Sequence, residues 1–263
     1  MANSYMDPVR VFDNLYFVGT TWVSSWAVRT SGGIVLIDAL DNDQEAHDSI
    51  EGGLRKLGLD PAEIRYVLIT HAHGDHYGGA NYLVRKYHAR VFLSEIDWRE
   101  LEKSSLEFDT PLWGRPPRRD GIVKDGERLS LGDTTIEVYA TPGHTPGALS
   151  FAFPVSDHGQ PHRALLWGGF GINAGPIASR FRSFVESTRR AQTLVRDEHI
   201  DVLIANHPSI DDSPTKMKEL AQRPPGGRHS YVIGEQAVGR FLAVAGECTA
   251  AALASFDASA APP

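Results

Sequence analysis

Short apolar runs broken by Gly, Asn and Asp dominate the first forty residues. Residues 9–12, 15–18 and 24–29 read as short strands. Residues 33–38 (Gly-Ile-Val-Leu-Ile-Asp) are apolar without alternation, the pattern of a central strand buried on both faces. Asp38 closes that run, where it can either support a neighbouring polar site or cap the turn. From Asp43 to Leu57 the spacing becomes helical through Ala46, Ile50 and Leu54, and Gly58 supplies a stop. Residues 66–69 form a further buried strand, 80–87 a helix and 91–93 a strand. Ser94 then opens a helix with Asp97 three residues on, the arrangement of a capping box.

The second half repeats the theme. Residues 127–130, 134–140, 148–153 and 164–167 read as strands. A long helix at 180–196 precedes a strand at 202–205, and helices follow at 213–221 and 230–245. Residues 108–120, rich in Pro, Arg and Gly around Trp113, form a long loop that either lies over a site or connects elements. Strands followed by helices, twice over, predict an α/β chain folded as a sandwich of two sheets with helices outside. No linker or low-complexity tract separates the halves. Residues 1–263 therefore read as one domain, with 258–263 a small, proline-ended, disordered tail.

Bulk composition narrows the partners. Hydrophobic residues make up 41% of the chain, ample for a core, and the formal charge is −7. An acidic surface suits a small-molecule substrate better than nucleic acid or an anionic membrane, and no feature marks an obligate protein partner. Cys248 is the single cysteine, which excludes a disulfide framework. Its apolar surroundings, 241–254, predict a buried structural thiol. No apolar run approaches the ~20 residues of a membrane helix. The N-terminus lacks an export signal, which fits a cytoplasmic protein or a mature periplasmic form without its leader.

The candidate chemistry sits directly after the 66–69 strand, in His71-Ala72-His73-Gly74-Asp75-His76. Side chains two apart on extended chain point the same way. His71 and His73 can thus share one metal ion, while Asp75 and His76, beyond the turn at Gly74, can reach a second. Zinc takes imidazole and carboxylate ligands, and a catalytic site keeps a coordination position open for water. Two further histidines follow strands: His144 in a turn framed by Pro142, Gly143, Pro146 and Gly147, and His207 in Asn206-His207-Pro208. His144 can complete a three-histidine set with His71 and His73; His207 can join Asp75 and His76. The other six, His47, His88, His158, His162, His199 and His229, lie in helices or polar loops and read as solvated.

This His-x-His-x-Asp-His pattern resembles the signature of the metallo-β-lactamase superfamily, whose fold is an αββα sandwich of two mixed β-sheets flanked by helices. The similarity runs from Val11–Gly19 to the His207 segment. It is narrower for the third subclass of class B β-lactamases, through Gly114-Arg115-Pro116-Pro117, Lys124-Asp125-Gly126, Thr141–Gly147, Phe181–Phe184 and His207-Pro208. The resemblance implies two zinc ions per chain, one on His71, His73 and His144 and one on Asp75, His76 and His207. It also implies hydrolysis of an acyl bond by a water held between the ions and oriented by Asp75. The implied substrate is a β-lactam or related cyclic amide, hence antibiotic resistance; a lactone, ester or thioester is the alternative on the same scaffold. Many thioesterases and lactonases of the superfamily carry a metal-bridging aspartate after the strand at 164–167. Here that window reads Trp167-Gly168-Gly169-Phe170-Gly171-Ile172-Asn173, without a carboxylate. The serines that usually hold the substrate carboxylate in the subclass are absent too. Asn173, Arg115 and Phe170 are the candidate substrate contacts in their place.

Overall fold

The computed structural model describes residues 5–257 and 259. β1 (Val9–Arg10), β2 (Leu15–Phe17), β3 (Trp26–Thr30) and β4 (Gly33–Ile37) form an antiparallel meander. A helical stretch follows, with α1 (Asp43–Glu45), a π-helical segment Ala46–Glu51 and α2 (Gly52–Lys56). β5 (Ile64–Leu68), α3 (Gly74–Tyr77), α4 (Ala80–Tyr87), β6 (Arg90–Leu93), α5 (Glu95–Leu101) and β7 (Gly121–Ile122) complete the first half. The second half runs β8 (Arg128–Leu131), β9 (Thr134–Ala140), β10 (Leu149–Asp157), β11 (Gln160–Trp167), α6 (Ala178–Asp197) and β12 (Val202–Ala205). α7 (Pro208–Asp211), α8 (Ser213–Ala221) and α9 (Glu235–Ala254) follow.

The first sheet has the order β1-β2-β3-β4-β5-β6-β7 and the second β12-β11-β10-β9-β8. Both are mixed: β4 to β7 pair in parallel, as do β11 and β12, and the other pairs are antiparallel. The continuous apolar runs explain the layering. Side chains alternate across a strand, so Val35 and Ile37 face the second sheet, in one cluster with Phe17 and Trp26 of their own sheet and Phe151 and Leu166 of the second. Leu36, between them, faces outward against Ala46, Ile50, Leu54 and Leu83 of the first helical layer. β12 does the same: Val202 and Ile204 point between the sheets, and Leu203 packs outward with Phe184, Val238 and Leu242 of α6 and α9. The layers are helix, sheet, sheet, helix, the αββα sandwich.

Several boundaries move for local reasons. β10 and β11 run on as a hairpin to Asp157↔Gln160, past Ala152, where β9 stops pairing. From Pro154 onward β10 has a neighbour strand on one side only, where a missing N–H is tolerated. Residues 230–234 are not helical. Val232 bridges Val202, and the amides of Ile233 and Gly234 donate to the Asp201 carbonyl, so α9 starts at Glu235. α9 also runs on to Ala254. By length and a mean hydropathy of 1.4 it is long and apolar enough to cross a bilayer, although Arg240 and Glu247 interrupt its apolar sequence. Here it packs on α6 through Val238, Leu242 and Ala245.

That same face corrects the expectation for Cys248, which is exposed, because helical pitch turns position 248 off the stripe through 238, 242 and 245. His229 is corrected in the opposite direction. It is 4% exposed, stacks on Phe12 with centroids 4.2 Å apart, and its Nε2 lies 2.8 Å from the Val11 carbonyl. His162 is half-buried against Asp201, whereas His158 and His199 are exposed as expected. Of the predicted tail, residues 258 and 260–263 lie outside the described residues.

Leu36 is fully buried in the outer cluster. Leu36→Ala is expected to lower unfolding free energy by about 2–5 kcal/mol, read as the shift of the urea midpoint at unchanged slope; a change under about 0.5 kcal/mol would contradict the layering.

Candidate metal centre

Strand ends deliver the six predicted residues to one place. β5 leads into the loop and α3 that carry His71, His73, Asp75 and His76; β9 leads into the turn of His144; β12 leads into His207. His71 and His76 are completely buried, and His73, Asp75 and His144 are less than a tenth exposed. One ligand atom from each of His71, His73 and His144 lies within 4.8 Å of the others, and the same holds for Asp75, His76 and His207.

The first set fits a metal ion on its hydrogen bonding. His71 and His144 place Nδ1 at 2.8 Å from the carbonyl oxygens of Gly168 and Gly171. Donation there leaves each Nε2 with its lone pair exposed inward. These two atoms and Nδ1 of His73 lie 3.1 Å apart in every pairing. Lone pairs that close repel unless a cation separates them. A point on the axis of that triangle, a little above its plane, lies about 2 Å from each, the length of a metal–imidazole bond. The remaining nitrogen of His73, Nε2, is buried without a hydrogen-bond partner.

The second set is built in the same way. His207 donates from Nδ1 to the Trp22 carbonyl at 2.8 Å, and His76 Nδ1 meets Asp38 Oδ2 at 2.9 Å. Their Nε2 atoms face Asp75 Oδ2 at 3.6 and 3.5 Å, and that of His76 has no hydrogen-bond partner. Asp38 decides between its two readings, because it supports the site. It adopts φ 62° and accepts both the amide and the hydroxyl of Thr70, at 2.8 and 2.9 Å, besides bonding His76. Such strain in a non-glycine residue persists where its surroundings over-determine it.

Protonation divides the two sets. Burial, with the neighbouring imidazoles adding to it, lowers His73 to about 3 and His71 well below its ordinary value; burial also brings His144 down to about 4. All three are neutral at pH 7, the form that binds metal. Burial lowers His76 as well, but the carboxylates of Asp75 and Asp38 outweigh it and hold its pKa at about 9. Burial raises Asp75, yet the facing His76, His207 and His73 keep it below the usual carboxylate range.

Residues the motif did not mark complete the frame. Asn206 donates to the Gly168 carbonyl and Thr70 hydroxyl at 2.8 and 3.1 Å. Arg180 spans from the His144 carbonyl to Glu107, both at 2.7 Å. The 108–120 loop lies over the centre. Phe108 sets its ring edge against His73 at 4.9 Å, and Trp113 packs so closely on Gly74 that a Cβ there would sit 2.4 Å from the indole. Trp22, 55% exposed, stands edge-on to His207 at 5.5 Å.

The candidate substrate contacts are placed differently. Asn173 is exposed. Arg115 is exposed too, in a small cleft made by its own loop with Leu106, Asp109 and Trp113. Phe170 packs on Phe184 and Phe241 and lines an apolar cleft of about 960 Å³ against α9. None of the six clustered residues lines either cleft.

The profile of the metallo-β-lactamase superfamily matches residues 19–157. The chain belongs to the metallo-β-lactamase superfamily. It is 32% identical to the uncharacterised protein YobT of Bacillus subtilis, over 82% of this chain and 97% of the relative. A hydroxyacylglutathione hydrolase of Synechococcus sp. is 35% identical, over 44% of this chain and 39% of that protein. Among solved structures, the subclass B3 metallo-β-lactamase BJP-1 of Bradyrhizobium japonicum superposes with a TM-score of 0.82 at 28% identity, covering 98% of this chain and 97% of that one. The chain is accordingly a metal-dependent hydrolase of the metallo-β-lactamase superfamily.

The pKa pattern makes a measurable difference between the sets. At pH 7 an ion entering the Asp75 set must displace about one proton from His76, whereas one entering the neutral histidine set displaces none. Calorimetric zinc titration in buffers of different ionisation enthalpy is expected to show buffer dependence for one of two binding events. The affinity of that event should rise about tenfold per pH unit between pH 6 and 8. Two events with the same pH dependence would contradict the assignment of charge.

Proposed function

We propose that this superfamily hydrolase is a di-zinc enzyme that opens the amide of a β-lactam or a related cyclic amide. The observation that carries this reading is steric. A Cβ at Gly168 would lie 1.6 Å from the Leu149 carbonyl oxygen, and one at Gly169 would lie 2.8 Å from Cβ of His144. An aspartate bridging two metals from either position has no room. The second set is left with Asp75, His76 and His207, as in the β-lactamase-like arrangement.

Zinc, when bound, acidifies a water and polarises a carbonyl. The chain supplies the rest. His71, His73 and His144 would hold one ion, with Gly168 and Gly171 fixing two of the rings. Asp75, His76 and His207 would hold the other, with Asp38 and the Trp22 carbonyl fixing the imidazoles. Asp75, the carboxylate on that face, accepts a hydrogen bond from the attacking water and aims its oxygen at the carbonyl carbon. A C–O bond forms, the C–N bond breaks, and the water's proton passes to the leaving nitrogen. Phe108, Trp113 and Trp22 wall the centre with aromatic surface that excludes water and takes apolar substituents. Asn173 and Arg115 are exposed donors open to a substrate carboxylate, and Phe170 would meet a substrate only where it extends to the cleft against α9. The chain's charge of −7 suits a small-molecule partner.

His144→Ala and Asp75→Asn separate the roles. His144→Ala is expected to lose one zinc and essentially all turnover. Asp75→Asn should lower kcat by at least about a hundredfold with the fold retained, measured by zinc analysis and steady-state kinetics. Wild-type stoichiometry and rate in either variant would defeat the assignment.

The substrate class is tested on the zinc-loaded protein with a cephalosporin, a penicillin, a carbapenem, an acyl-homoserine lactone and a glutathione thioester. A kcat/KM above ~10⁴ M⁻¹s⁻¹ on a β-lactam is expected. Preference for the thioester or lactone at that level, with β-lactams untouched, would replace the amide reading with the alternative.

A further inference from the structure

Asp97 is read from sequence as the return arm of a capping box, and the structure gives its carboxylate another task. Ser94 caps α5 as expected, its Oγ accepting the Asp97 amide at 3.1 Å. The Asp97 side chain does not reach back to Ser94. It is fully buried, and no cation pairs with it among the described residues. Oδ2 accepts the Ala72 amide at 2.9 Å and the Thr145 hydroxyl at 2.7 Å; Oδ1 accepts the Gly147 amide at 2.9 Å.

These three donors belong to two loops distant in sequence. Ala72 sits between His71 and His73, and Thr145 follows His144. One carboxylate therefore ties the loop bearing two histidines to the loop bearing the third. Packing around it is tight: a Cβ on Gly147 would lie 2.4 Å from both Asp97 Oδ1 and Ser94 Oγ. Burying a carboxylate without a cation costs several kcal/mol unless hydrogen bonds compensate. A neutral residue capping α5 would avoid that cost, so helix capping does not account for an aspartate here.

We propose that Asp97 is a positioning residue of the metal centre, holding the 71–73 and 144–147 loops at the separation that brings three imidazole nitrogens to 3.1 Å before an ion arrives. It touches neither metal nor substrate. The inference rests on the reading of His71, His73 and His144 as one metal site.

Asp97→Asn tests it with almost no change of volume. The Ala72 and Gly147 amides can only donate, and they face opposite ends of the side chain. Whichever end becomes NH₂ opposes a donor, so one tie is lost. The readouts are Co²⁺ and Zn²⁺ titration of the metal-free full chain against a chromophoric chelator, the visible Co²⁺ spectrum, and the melting temperature. The expected result is at least about a tenfold loss of affinity for the three-histidine site. Its Co²⁺ band should change, while the Asp75 site keeps its affinity. A residue serving only the fold would lower the melting temperature and leave the metal affinity of the folded protein intact; that result overturns the proposal. Should Asp97→Asn not fold, Thr145→Val cuts the hydroxyl tie alone and is expected to weaken the same site about threefold, and unchanged affinity there overturns the proposal equally. If the wild-type chain binds no metal, the metal-centre reading falls and this inference falls with it. If the wild type binds two ions and the variants match it, only the role of Asp97 fails.

Discussion

Three imidazole lone pairs held 3.1 Å apart in a buried place are an unfavourable arrangement for a protein to keep by itself. Everything around the centre works against their separation. The Gly168 and Gly171 carbonyls turn two rings inward, Asp97 ties the two histidine-bearing loops, and Asn206 steadies the Gly168 peptide from β12. Strands of both sheets of the sandwich end at this point. Pre-organisation of this kind means that an incoming ion meets ligands already neutral and aimed, with little conformational entropy left to lose.

The neighbouring set adds charge to contacts of the same kind: His207 donates to the Trp22 carbonyl, while His76 meets the Asp38 carboxylate. Asp38 and Asp75 enclose His76 and raise its pKa to about 9, while the three-histidine set next to it stays neutral. Two sites with shared walls thus present different faces: one ready for a cation, the other occupied by a proton that a cation must replace. The backbone strain at Asp38, φ 62°, belongs to this arrangement. The carboxylate reaches Thr70 and His76 together, joining β5 to the site it feeds.

Much of this was legible in the chain. The His-x-His-x-Asp-His run, the two later histidines after strands and the alternation of strands and helices led to the same six residues and the same αββα sandwich that the structure has. Legibility failed where a side chain's meaning depends on distant partners. Asp97 looks like a local cap because its three donors lie 25 to 50 residues away. Cys248 and His229 depart from expectation because apolar neighbours in sequence do not fix which face of a helix turns inward, nor does a polar loop fix which of its side chains is buried. The glycines at 168 and 169 announced only the lack of a carboxylate; their contacts with Leu149 and His144 give the steric reason for it. Substrate contacts were the least legible, since Asn173 and Arg115 sit on exposed loops whose positions no periodicity dictates.

Anomalous diffraction at the zinc edge, from crystals of the zinc-loaded protein, addresses the metal centre most directly. Two peaks are expected about 3.5–4 Å apart, one enclosed by His71, His73 and His144 and the other by Asp75, His76 and His207. A peak held by other residues, or density at neither cluster under saturating zinc, would contradict the assignment of this centre.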